Sequence, residues 1–176
     1  MNAAAAKDLE DKILHGIPLS RAMGYRITEL SDMRISVAAP LGPNRNVHHT
    51  GFAGSLYALG ILTAWGLCTH VVARAGLEAD LVVAEATIRY RAPVYADIVC
   101  RCSLTDEAAQ AFVDELAANG RARATLDVAI GEGPAAMIEA VMHASQADAP
   151  VSYTHLTLPT TDVGWCWGGG GGGGEG

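Results

Sequence analysis

The sequence is short of positive charge. Its 176 residues include 12 Lys and Arg against 19 Asp and Glu, a formal net charge of -7. A nucleic-acid binder needs a basic face to displace phosphate counterions, so that class is excluded. Docking on an anionic membrane is disfavoured for the same reason. Cysteine is scarce too. There are four, and one of them, Cys166, falls in an anomalous tail. The other three, Cys68, Cys100 and Cys102, are an odd number, which points to free thiols in a reducing compartment rather than a disulfide framework. Asn2 to Ala6 lack the basic start and long apolar core of a secretory leader, so a cytoplasmic location is expected. Charged residues make up 18% of the chain and hydrophobic ones 50%, which excludes a disordered protein. The length predicts one domain, and a domain of ~150 residues buries about 70% of its unfolded surface without staples.

Apolar periodicity is missing from residues 151–176, which hold nine of the 20 glycines and two of the three tryptophans. The string VSYTHLTLPT resembles the translation of a sequencing adapter, and the glycine run a read end in the same frame. Residues 151–176 are therefore read as a non-native, disordered tail, and residues 1–150 as the domain.

Within the domain, Ala3 to His15 predicts a helix with Leu9, Ile13 and Leu14 on one face. Leu19 to Tyr25 is a short helical piece. Arg26 to Leu30 and Met33 to Ala39 are strands, the second alternating Ile35, Val37 and Ala39 against Arg34 and Ser36. Pro40 to His49 is a polar loop. Gly54 to Ala75 predicts one long helix, closed by Gly76. Ser55 to Ala73 carries no formal charge and approaches the ~20 residues that span a bilayer. The strands around it supply a sheet to bury it, so a soluble core helix is the expected reading. Strands follow at Leu81 to Arg91, with Ala84, Ala86, Ile88 and Tyr90 on one face, and at Ile98 to Leu104. A short helix at Asp106 to Asn119 places Phe112 and Leu116 one turn apart. Arg121 to Ile130 and Met137 to Ala144 are the last strands. Each strand has one apolar face, as in an antiparallel sheet that covers a core on one side. The fold class is α+β, with Trp65, Cys68, Cys100 and Cys102 expected in the core. Arg89, Arg91, Arg101, Arg121 and Arg123 are expected on solvated strand faces, with cross-strand pairs to Asp127 and Glu139.

Several chemistries lack their residues. Ser55 sits in Ala53-Gly54-Ser55-Leu56-Tyr57, not in a nucleophile elbow. Gly51-x-x-Gly54 has no Lys-Ser/Thr after it to make a phosphate loop. Cys100-x-Cys102 with His48-His49 does not have the spacing of a zinc site, so no metal and no cofactor is expected.

The layout is similar to the hot-dog fold, a curved antiparallel sheet wrapped around one central helix. The segment Pro43-Asn44-Arg45-Asn46-Val47-His48-His49-Thr50-Gly51-Phe52-Ala53-Gly54-Ser55-Leu56-Tyr57-Ala58-Leu59, followed by Trp65-Gly66, resembles the signature of the thioesterase family known as the YiiD C-terminal domain. The stretch Ile88-Arg89-Tyr90-Arg91-Ala92-Pro93-Val94, then Asp97, resembles the central strand and turn of hot-dog thioesterases. The resemblance covers roughly Pro18 to Ser145. It implies a homodimer, or dimer of dimers, that acts on acyl-CoA or acyl-carrier-protein thioesters.

Thioester hydrolysis needs an oxyanion site, an activated water and an acyl slot. Helix N-termini offer unpartnered N–H groups at the positive dipole end, so Gly54 and Ser55 are the oxyanion candidates, with simple helix capping as the alternative. Many hot-dog thioesterases carry an Asp or Glu one or two turns into the helix. Tyr57 to Leu62 has none. Asn46 and His49 are the substitutes that the loop offers, Asn46 to orient water or carbonyl and His49 as base. His48, Thr50, Phe52, Tyr57 and Arg91 are candidate substrate contacts, Arg91 for the phosphates of coenzyme A. A hot-dog module that binds an acyl chain, or only dimerises, is the alternative that the missing carboxylate keeps open.

Overall fold

The computed structural model describes residues 3–146, in chain order α1 (Ala3–Gly16), α2 (Pro18–Met23), β1 (Arg26–Ser31), β2 (Arg34–Ala39), a 3-10 turn (Gly42–Asn44), α3 (Ala53–Arg74), β3 (Asp80–Tyr90), β4 (Ile98–Ser103), α4 (Asp106–Asn119), β5 (Arg121–Ile130) and β6 (Ala136–Ser145). The reading of residues 151–176 lies outside the described residues. The six strands form one antiparallel sheet in the order β1-β2-β4-β5-β6-β3. α3 packs against β2, β3, β4, β5 and β6. This is the α+β, hot-dog arrangement.

Strict alternation builds the core. Along β5, Ala122, Ala124, Leu126, Val128 and Ile130 are buried and the residues between them face out. Ile35, Val37 and Ala39 do the same in β2, and Ile98, Cys100 and Cys102 in β4. α3 meets this face with Leu56, Leu59, Leu62, Leu67, Val71 and Val72. β4 and β5 pair only over Cys100–Cys102 and Val128–Ile130. α4 packs against β5 and buries Ala109, Phe112 and Leu116. Its start is capped by the Thr105 hydroxyl, which accepts the Ala108 N–H at 3.2 Å, and Gly120 ends it in the left-handed conformation.

Three expectations change. The face of β3 is not read by simple alternation. A bulge between Val83 and Glu85 puts Leu81 and Val83 opposite buried Ala144 and Met142, then Ala86, Ile88 and Tyr90 opposite Ala140, Ile138 and Ala136. The inward set thus switches from odd to even numbers. Trp65 is only half-buried. Its Nε1–H donates to the Leu81 carbonyl at 2.9 Å, and the Lys12 ammonium lies 5.7 Å from its ring centre. The outer face lacks the expected cross-strand ion pairs, because the register sets Asp127 directly opposite Glu139. Among the described residues the ion pairs are Lys7–Asp11 and Arg74–Asp32.

α3 has the length and hydropathy of a membrane span, yet 67% of its most apolar window is buried within the fold. β3 is the edge strand beyond β6, and most of its residues are exposed.

Candidate functional site

The loop before α3 is a small hairpin tied by one side chain. Arg45 bridges to Gly51, and the Asn46 N–H donates to the Thr50 carbonyl at 2.8 Å. The Asn46 Oδ1 accepts the N–H of His48 at 2.8 Å and of Thr50 at 3.2 Å, while its Nδ2 donates to the Thr50 hydroxyl at 3.0 Å. An Asn is suited to this Asx-turn role because its carbonyl reaches the backbone two residues on. His49 takes φ +62°, the left-handed region that His tolerates better than most residues.

Asn44 anchors the other side of the loop. It is 1% exposed, and its Nδ2 donates to the carbonyls of Met23 at 2.7 Å and Pro40 at 2.8 Å. Its own carbonyl accepts the Phe52 N–H, and Gly51 N–H reaches the Val94 carbonyl, both at 2.7 Å. The chain is therefore held on both sides up to Phe52, where α3 begins.

The start of α3 is open. Phe52, its N-cap residue, makes no side-chain cap bond. The Leu56 N–H already returns to the Phe52 carbonyl at 3.0 Å. The N–H groups of Ala53, Gly54 and Ser55 find no acceptor among the described residues. Capping by Ser55 is thus not what the structure uses. The glycine at 54 makes room for an aromatic ring: the space a Cβ would take is filled by the Phe52 ring, whose Cε1 would stand 2.5 Å from it.

Aromatic side chains surround this start. Phe52, Tyr57 and Tyr90 are 52%, 37% and 49% exposed, high values for residues of their size. The Tyr90 hydroxyl donates to the Ala53 carbonyl at 2.9 Å and so ties the end of β3 to the first turn of α3. Partial burial, and after it the Tyr57 phenol, raises the Tyr90 pKa, which keeps it a donor at neutral pH.

The candidate residues therefore separate by role. Gly54, Ser55, Phe52 and Tyr57 gather at the helix start. His48 and His49 are exposed on the loop. Asn46 and Thr50 use their side chains on each other. Arg91 follows β3, its N–H on the Ala135 carbonyl at 2.8 Å and its side chain exposed. Sequence reasoning missed Asn44 as an anchor and Tyr90 as the tether. Asn44 stood in the quoted motif, but nothing local marks it as buried.

The three thiols are free and buried. Burial, before any other cause, pushes Cys100 and Cys102 up to about 12 and raises Cys68 as well. They are core residues. Among the described residues no group of three His, Cys, Asp or Glu side chains comes together as metal ligands.

A family described as "Putative thioesterase (yiiD_Cterm)" matches residues 6–142. Among solved structures, a protein of unknown function from Chlorobaculum tepidum TLS is 27% identical, with a TM-score of 0.77 over 80% of this chain and 94% of that one. A "putative thioesterase" from Shewanella oneidensis is 30% identical, with a TM-score of 0.70 over 82% of this chain and 99% of the other. A thioesterase family protein from Silicibacter pomeroyi shares the fold at 14% identity, with a TM-score of 0.59 over 81% of this chain and 98% of that one.

Proposed function

Because this chain belongs to the yiiD_Cterm thioesterase family, we infer that it hydrolyses acyl thioesters carried by coenzyme A or an acyl-carrier protein. The observation that carries this reading is the trio of unpartnered N–H groups at Ala53, Gly54 and Ser55, set beside exposed Phe52, Tyr57 and Tyr90. Such N–H groups sit at the positive end of the α3 dipole and suit the oxyanion that forms when water attacks a thioester carbonyl. The aromatic rings and the half-buried Ala58 and Ile61 suit an acyl chain. Asn46 contributes by shaping the loop that aims the helix start. His48, His49 and Arg91 lie free for the polar head of the substrate.

The working form is a cytoplasmic homodimer. Support comes from the β3 edge, which leaves backbone groups unpaired along an 11-residue strand. Its charges are self-complementary when run antiparallel: Glu78 and Asp80 flank one end, Arg89 and Arg91 the other. A second copy related by a two-fold axis sets acid against base at both ends.

The alternative, a non-catalytic acyl-binding module, draws on the lack of a carboxylate in Tyr57 to Leu62 and on the Asn46 amide being spent within its loop. A thiol-release assay with acyl-CoAs and acyl-carrier proteins of graded chain length separates the two. Turnover is expected on at least one carrier. Binding without release of thiol at any length would establish the module.

A further inference from the structure

Two side-chain hydrogen bonds tie α3 to the edge strand β3. The Tyr90 hydroxyl donates to the Ala53 carbonyl at 2.9 Å, and the Trp65 Nε1–H donates to the Leu81 carbonyl, also at 2.9 Å. The two elements therefore pass each other in opposite directions, with the start of α3 beside the end of β3. Between the two tethers, Tyr57, Ala58 and Ile61 of α3 and Val83, Ala86 and Ile88 of β3 keep apolar surface uncovered. The three β3 residues share the inner side only because the bulge changes parity after Val83. On α3, Ala58, Ile61 and Trp65 are spaced three and four apart and so lie on one face. The result is an apolar lane that begins at the unpartnered N–H groups of the helix start.

Trp65 closes the far end of the lane. Its indole is half-buried and held by two contacts, the Leu81 carbonyl and the Lys12 ammonium 5.7 Å from the ring centre. Beyond it lies a pocket of about 350 Å³ between α1, the last turns of α3 and the segment into β3. Thr69, one helical turn after Trp65, lines that pocket together with Lys12 and Leu81. The residues that hold the indole are thus part of the pocket wall, and the indole stands between lane and pocket. From Ser55 to Trp65 the helix axis rises about 15 Å at about 1.5 Å per residue. With C–C bonds of about 1.5 Å in an extended zigzag, roughly ten to twelve carbons fill that length.

We propose that Trp65 is the stop that sets the longest acyl chain this protein accepts, about ten to twelve carbons laid along the lane. The proposal rests on the thioesterase reading of the α3 start. A thioester carbonyl placed on the helix N–H groups sends its chain along Ala58 and Ile61 towards the indole. A shorter chain leaves apolar surface wet. A longer one must push the indole off the Leu81 carbonyl, which costs a hydrogen bond and a packed ring.

The test is a chain-length profile of the purified full chain, kcat/KM on acyl-CoAs from butyryl to stearoyl. The wild type should peak near decanoyl- or dodecanoyl-CoA and fall by about 10-fold or more at palmitoyl-CoA. Trp65→Ala joins lane and pocket, and should bring palmitoyl-CoA to within about three-fold of dodecanoyl-CoA. Leu67→Ala opens a hole in the core away from the lane and should leave the peak where it is. Ile61→Phe sets a ring partway along the lane and should move the peak to shorter chains, which probes the lane even where Trp65→Ala fails to fold. A wild-type profile that stays flat to palmitoyl-CoA, an unchanged profile in folded Trp65→Ala, an unmoved peak in Ile61→Phe, or an equal shift in Leu67→Ala would overturn the proposal. If the wild type releases no thiol at any length, it is the thioesterase reading that fails. Trp65 is then judged by acyl-CoA Kd against chain length: a break at the same length that Trp65→Ala removes upholds the stop, and no break refutes it.

Discussion

Up to Ala73, the two halves of α3 are both free of formal charge in sequence and differently treated by the fold. From Thr63 to Val72 every residue but Trp65 is buried, wrapped by α1, the β1-β2 hairpin, β4 and the sheet. From Ala53 to Leu62 one side is covered by the sheet, while Ala53, Gly54 and Tyr57 are exposed and Ser55, Ala58 and Ile61 are half-covered. The closed half holds the domain together. The open half presents free N–H groups, aromatic surface and a tether to the unpaired edge strand. A charge-free run in a central helix thus hides two jobs, and only the packing around it tells them apart.

That contrast can be broken by substitution. The largest loss of stability should come from the closed half. Leu67 is fully buried, so Leu67→Ala should cost about 2–5 kcal/mol, read from urea midpoints. Gly60, at the boundary, faces the sheet closely. A Cβ there would stand 2.4 Å from Ile138 Cδ1 and 3.1 Å from Ile130 Cδ1. Gly60→Ala should therefore cost about 1–3 kcal/mol by overpacking. In the loop that aims the open half, Asn46→Ala removes the acceptor for two backbone N–H groups. It should cost about 1 kcal/mol of stability while lowering kcat by about 10²-fold, because the helix start shifts relative to substrate.

The smallest effect concerns pH. His70 is buried in the closed half. Burial, then the Arg74 guanidinium, depresses its pKa below the ordinary imidazole value, against the opposing pull of Asp32. The unfolded chain therefore binds this proton at higher pH than the folded one. The stability linked to His70 is complete above the unfolded pKa of about 6.5 and is lost as pH falls below it, towards the folded pKa. His70→Gln should flatten that part of the acid slope as pH falls through the unfolded pKa of about 6.5.

The sequence makes the fold legible for one physical reason: alternation of two and a charge-free run of 19 residues both report burial directly. The β2, β4 and β5 faces and the Phe112–Leu116 pair follow from it. The β3 face does not, because a single inserted residue changes parity without changing composition. Trp65 misleads because a large apolar ring can lie half-covered beneath a lysine. The site is legible as a segment and not as a set of roles. Asn46 looks like a substrate-facing amide, but backbone donors two and four residues on capture it. Tyr90 looks like one more strand residue, and only the fold brings it to Ala53.

The most direct measurement compares kcat and melting temperature for Ala53→Pro and Leu67→Ala in the same acyl-thioester assay. Ala53→Pro should lose turnover while melting close to the wild type, because a proline at the first helical position displaces no internal hydrogen bond and Phe52 before it is already extended, with ψ 128°. Leu67→Ala should melt several degrees lower yet keep its kcat at low temperature. Full turnover in Ala53→Pro, or equal loss of kcat in both variants without a difference in melting, would contradict the division of α3 into a working half and a holding half.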